Sequence, residues 1–205
     1  EPFSDFIWEY DKSISPEGFV EKTYSEKMGK IIISRDKLQK AWDMVNDKVM
    51  NRLEEIMQIK WPERKIKGIM TINRVCPRDL KAWSFYVSYF RDIEMQKGIV
   101  LHELTHFLYF EKWKQVFPEY NEEEFNKPHL VWELSEILVE PIDKDAILRL
   151  LVPKTAKAYD RYYSTKINGK ESIMQYFEKV YEENKSDFGN MLRVAYAEIK
   201  GLGIF

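Results

Sequence analysis

Ile99-Val100-Leu101-His102-Glu103-Leu104-Thr105-His106-Phe107-Leu108-Tyr109-Phe110 is the stretch on which the fold of this chain turns. Its apolar residues leave no polar side free, and a helix that is hydrophobic all round is a buried one. Yet it carries two imidazoles and a carboxylate, which are costly to bury without compensation. His102 and His106 stand four residues apart, so on a helix they lie one turn apart on the same face. Two imidazoles so placed can direct ring nitrogens at one Zn²⁺, and Glu103 beside them can act on a water held by that metal. The chain has three histidines, and this pattern uses two of them. A histidine pair bonded to backbone carbonyls, with Glu103 in a salt bridge, is the competing reading.

Downstream, His129-Leu130-Val131-Trp132-Glu133-Leu134-Ser135-Glu136-Ile137-Leu138-Val139-Glu140-Pro141 predicts a second helix. Steps of four, three and four put His129, Glu133, Glu136 and Glu140 on one face, with an apolar surface around the rest. Carboxylates gathered on a buried face repel one another unless a cation sits among them. The alternative is a face turned to solvent.

Together the two segments resemble the gluzincins, the thermolysin-like clan of zinc metallopeptidases, in compact and divergent form. The resemblance covers roughly residues 95–141. It implies one Zn²⁺ per chain held by His102, His106 and Glu136, with Glu140, four residues on, receiving the ring N–H of His102. It implies Glu103 as the general base of peptide-bond hydrolysis. Ser135 stands where the family usually has Asn, and Glu140 where it usually has Asp. The other zincin branch is excluded, because no histidine follows His106 at the close spacing it needs. Candidate oxyanion donors are His129, Tyr159, Tyr162 and Tyr163. The expected partner is a peptide or protein substrate, paired with an edge strand near residues 82–90. A zinc-binding, peptidase-like regulatory or interaction module with little hydrolysis is the second functional reading, and a helical interaction protein the third.

Around this centre, 205 residues suffice for one substantial core. The expected fold is α+β and zincin-like, one domain over 1–205. Residues 1–113 would supply a small mixed sheet, a long helix and the motif helix (about 93–113); residues 114–205 would be mainly helical. Phe6-Ile7-Trp8 and Lys30-Ile31-Ile32-Ile33 read as strands about a Pro16–Gly18 turn. Ser34 reads as the cap of a long helix that stops at Trp61-Pro62. Residues 65–73 and 82–90 read as strands about the turn Cys76-Pro77-Arg78-Asp79. Glu122-Glu123-Glu124 reads as solvated. Pro141 should limit the second helix, Asp143 cap a short one, Asn168-Gly169 form a turn, and Ser186 and Gly201 bound the last helix. With 32 basic and 34 acidic residues and no single-sign block, nothing suggests a nucleic-acid surface. No apolar run is long enough for a membrane span. The single cysteine, Cys76, forbids an intrachain disulfide framework and favours a reduced, cytoplasmic setting. The start at Glu1, without methionine, leaves a processed or secreted form open, and oligomeric state is not legible.

Overall fold

A computed structural model describes residues 13–167 and 169–204; the expected strand Phe6–Trp8 lies outside them. The first helix, α1, spans Pro16–Asp43. Ser15 caps it by accepting from the Gly18 N–H, and Pro16 occupies its first turn, where a missing donor costs nothing. The Pro16–Gly18 segment thus starts a helix and is not a turn between strands. Lys30–Ile33 lies inside α1: Ile31 is buried, whereas Ile32 and Ile33 are exposed. A strong helix start has overridden the β preference of three consecutive isoleucines. Ser34 is likewise internal. Its hydroxyl donates to the Tyr89 carbonyl at 3.0 Å and accepts from Gln96 Nε2 at 2.8 Å. The expected long helix is interrupted at Met44-Val45, and α2 follows over Asn46–Met57.

The sheet is small and mixed. β1 (Lys67–Thr71), β2 (Arg78–Asp79) and β3 (Ser84–Ser88) stand in the order β1-β3-β2. β1 runs parallel to β3, from Lys67 opposite Ser84 to Thr71 opposite Ser88; β2 runs antiparallel, with Arg78 opposite Phe85. The expected turn at Cys76–Asp79 therefore supplies a strand. Its pairing places β3 at the centre, which corrects the reading of residues 82–90 as an edge. Phe85 and Val87 are buried in the main core, and Phe85 meets the Phe107 ring at 6.5 Å.

The motif helix, α3, spans Ile93–Val116, capped by Asp92, which accepts from the Met95 N–H at 2.9 Å. It packs against α1, α2 and β3. Beyond it a 3₁₀ turn over Glu122–Phe125 leaves Glu122 and Glu123 exposed. α4 spans Leu130–Asp143 and lies along α3. Pro141 sits inside it rather than ending it. So close to the C-terminus, little of the helix lies beyond the donor that Pro141 lacks. α5 (Ala146–Leu151) is capped by Asp145, not Asp143.

Residues 152–159 then cross α3 at Gly98, where an added Cβ would stand 2.2 Å from the Lys154 carbonyl oxygen. That crossing sets one wall of the site described below. α6 (Asp160–Ser164), a β4–β5 hairpin (Lys166–Ile167 with Glu171–Ser172), α7 (Ile173–Asn184) and α8 (Phe188–Leu202) complete the helical part. Ser172 and Gln175 close a capping box on α7. Asp187 caps α8 in place of Ser186, and Gly203, left-handed at φ 58°, follows its end in place of Gly201. The main core runs from α1 to α8, with Leu53, Leu101, Phe107, Leu108, Leu134 and Ile137 within it. The fold is α+β and mostly helical. No described helix is long and apolar enough to cross a membrane.

Candidate metal centre

The centre lies between α3 and α4. One turn of helix sets the two imidazoles together, their Nε2 atoms 3.1 Å apart. Across from them, Glu136 on α4 brings one carboxylate oxygen to 3.4 Å from His106 Nε2 and the other to 3.9 Å from His102 Nε2. His106 is fully buried and Glu136 is 6% exposed. Donors at about 2.0–2.1 Å from a tetrahedral Zn²⁺ stand roughly 3.3–3.4 Å from one another. The observed spacings bracket that value, so these three side chains fit the metal that the resemblance implies. Neither imidazole bonds a backbone carbonyl: both Nδ1 atoms are buried without a hydrogen-bond partner among the described residues.

Burial, reinforced by the nearby Arg78 guanidinium, holds both imidazoles well below the usual histidine range, His102 at about 3. Both are therefore neutral near pH 7, the state in which a ring nitrogen offers its lone pair to a metal. Burial also raises the Glu103 carboxyl, to about 7, with Arg78 opposing the rise and Glu136 adding to it. Glu136 is raised by burial against the same guanidinium.

Arg78 was not singled out from the sequence. Its Nη2 donates to Glu136 at 3.0 Å and its Nη1 lies 3.6 Å from Glu103 Oε2, with the guanidinium 5.5 Å from the Phe110 ring centre. The side chain is 11% exposed. An arginine in a turn-like Cys-Pro-Arg-Asp reads as solvated; pairing of β2 with β3 is what carries it inward. One signal existed. Ile99–Phe110 and Leu130–Pro141 together hold four glutamates and no lysine or arginine, so their countercharge had to come from elsewhere.

The acidic face of α4 is buried, not solvated. Glu133 is held by Arg161 Nη2 at 2.7–2.8 Å and by the Tyr162 hydroxyl at 2.6 Å. Glu140 accepts from the Ala158 N–H at 3.0 Å and from the Tyr163 hydroxyl, and pairs with Lys144 at 2.9 Å. The expected Glu140–His102 hydrogen bond is absent, because other donors engage that carboxylate. One turn further, Asp143 is fully buried; Thr105 Oγ lies 2.8 Å from its Oδ1 and 2.9 Å from the Leu101 carbonyl. One hydroxyl proton cannot serve both acceptors fully. A protonated Asp143 that donates to Thr105 satisfies both, and burial raises its carboxyl to about 8.

His102, Glu103 and Glu136 open into a cleft of about 660 Å³, lined also by residues 74–78 and Leu80 and by residues 155–157 and Tyr159. Of the four oxyanion candidates, Tyr159 alone lines it, its ring 5.8 Å from that of Trp132. The Tyr162 and Tyr163 hydroxyls are spent on Glu133 and Glu140. His129, the residue before α4, is exposed and does not line the cleft. A scan against protein-family models and searches of curated proteins and of solved structures found no match.

Proposed function

We propose that this chain is a zinc-dependent metallopeptidase, a compact zincin-like protein of the gluzincin type. The observation that carries the reading is the convergence of His102, His106 and Glu136 on one point beside Glu103, at the floor of an open cleft. His102, His106 and Glu136 would hold the ion. Bound Zn²⁺ supplies Lewis acidity, lowering the pKa of water toward ~7 and polarising a carbonyl. Glu103, next to a ligand yet outside the ligand set, takes the proton of the attacking water and returns it to the leaving amine. Arg78 offsets the buried charge of Glu103 and Glu136 and holds their carboxylates in register. Tyr159 offers a hydroxyl on the cleft side. Because β3 is central, the edge nearest the site is the short β2, which follows Pro77.

Two measurements test the proposal together. Elemental analysis should find one zinc per chain. Glu103→Gln should keep that zinc and the fold while losing at least ~10²–10⁴-fold in hydrolysis of a peptide library. Protein without zinc defeats the metal reading. A zinc-loaded wild type inert across diverse peptides favours a binding module instead.

A further inference from the structure

Residues 155–157 and Tyr159 line the cleft from a segment whose main chain is unpaired. Val152 to Tyr159 contains no helix, turn or bend, and both its ends are fixed. Pro153 keeps Val152 out of the helical region, at φ −133° and ψ 84°, and Val152 is fully buried. At the other end Ala158 is buried and donates its N–H to Glu140 at 3.0 Å. Between these points no N–H of residues 154–157 and no carbonyl of residues 153–157 has a hydrogen-bond partner among the described residues. Only side chains tie the middle down: Arg149 donates to the Thr155 hydroxyl at 3.0 Å, and Lys154 pairs with Asp92 at 3.1 Å. The connection before α4 behaves otherwise. It bonds itself, Tyr120 N–H to Phe117, Glu124 to Asn121, Asn126 to Glu123 and His129 to Asn126. An extended main chain with unused donors and acceptors is an edge to which another strand adds.

Two contacts fix which way that edge points. Along an extended chain each residue sends its N–H and C=O to one side, and successive residues alternate. The Lys154 carbonyl is turned to α3 at Gly98, and the Ala158 N–H to Glu140 on α4. Residues 154, 156 and 158 therefore face the helices, and the main-chain groups of Thr155 and Lys157 face away from them. Thr155, Ala156 and Lys157 are consecutive, yet all line the cleft. Side chains alternating between two faces cannot do that unless the main chain between them is also exposed there. Gly98 precedes His102 by one helical turn and Glu140 follows Glu136 by one, so the segment passes about one turn, ~5.4 Å along each axis, from both. The sheet edge β2 is a poorer template. It has two residues, and Pro77 before it lacks an N–H and already accepts from Tyr86 at 3.0 Å.

We infer that the Thr155–Lys157 segment is the strand-addition site of the cleft: an extended peptide pairs its main chain with the N–H and C=O groups of Thr155 and Lys157 and so lies past the metal centre. The inference rests on the peptidase reading for the fate of the bound peptide, not for the binding. Recognition is of backbone, so the ligand class is an unfolded segment whose side chains matter less than its extended shape.

The test is amide hydrogen exchange, followed by NMR on the isotope-labelled full chain as the Glu103→Gln variant, which binds peptide without cutting it. The probe is a short acetylated and amidated peptide of alternating Thr and Ala. In free protein the Thr155 and Lys157 amides should exchange fast. An excess of peptide should slow both by about tenfold, the order of one hydrogen bond each, and leave Ala156 unmoved. Fluorescence polarisation with a labelled probe gives the second measurement. Lys157→Pro, whose fixed φ an extended chain accepts, should bind roughly 2–10-fold more weakly than Lys157→Ala, because only the first loses the donor. Zinc content should be the same in both. Thr155 and Lys157 amides left unprotected overturn the inference, whether or not the peptide binds elsewhere, as does equal binding by the two Lys157 variants. Protection in a protein that proves to lack zinc and hydrolysis supports strand addition even as the peptidase reading fails. Hydrolysis by wild type with both amides unprotected does the reverse.

Discussion

The middle of the polar face of α4 and its two ends carry the same side chain in opposite circumstances. At the ends, Glu133 is held by Arg161 and Tyr162, and Glu140 by Lys144, Tyr163 and the Ala158 N–H. In the middle, Glu136 shares Arg78 with Glu103 and otherwise faces two neutral imidazoles. Those supports hold the Glu140 carboxyl below its usual range against the opposing effect of burial, whereas burial leaves Glu136 raised. A buried carboxylate with dedicated donors serves the fold. One whose surroundings are neutral lone pairs is poised for a cation. Three glutamates on one face are thus divided into roles by what packs opposite each.

Replacing the middle acid should give the largest effect. Glu136→Gln should weaken zinc retention beyond the ~10–100-fold typical of losing an outer partner, while the metal-free fold stays intact because Arg78 keeps Glu103 as its countercharge. Glu133→Gln should leave zinc content unchanged. A competitive chelator titration in which the two variants exchange behaviour would break the comparison.

The ends are sharpened by Tyr162→Phe, which removes one donor from Glu133 inside the protein. Hydrogen bonds to charged groups contribute about 1.5–3 kcal/mol, so denaturant unfolding should show a loss of that order with zinc affinity preserved. An unchanged midpoint would mean that Arg161 alone suffices.

Asp143 extends the comparison by one turn, to an acid with no cation within hydrogen-bond reach among the described residues. Its folded-state carboxyl, near 8, lies above the ordinary 3.8, so the folded protein holds a proton that the unfolded chain releases. Glu140 and Glu103 reinforce the burial effect and Arg149 opposes it. The stability tied to this proton is complete below about pH 4 and declines as pH rises toward about 8. Thermal unfolding of chelated protein should fall more steeply across that window in wild type than in Asp143→Asn, whose amide still donates to Thr105. Parallel profiles would place an ionised carboxylate at this position.

The smallest effect serves as a control. Asp92→Ala removes the cap of α3 on the exposed side, and caps contribute about 1 kcal/mol. The midpoint of unfolding should shift by that amount with zinc binding unmoved, because the cap lies more than two turns before His102. A loss of zinc would show that the helix start, not its packing on α4, sets the geometry.

The sequence by itself determined what is local and periodic. It placed α3 to within three residues at its C-terminal end, and it identified α4 as a helix with Glu133, Glu136 and Glu140 on one face. Helical steps of three and four put His102 and His106 on one face and the three glutamates on another, whereas the choice of Glu136 to join the histidines came from the resemblance to the gluzincins. Only the tertiary structure decided which partner each polar group receives. Arg78 reaches the site through a two-residue strand, Glu140 turns to Lys144 and Tyr163 instead of His102, and β3 becomes central through a segment that reads as a turn. The start of the chain misled for a related reason: Ile31-Ile32-Ile33 favours a strand in isolation, and the Ser15–Pro16 helix start together with burial of Ile31 in a cluster that includes Ile72 overrides it. Periodicity is carried by covalent neighbours, whereas the countercharge of a buried carboxylate comes from whichever segment packing brings opposite, and that segment can lie anywhere in the chain.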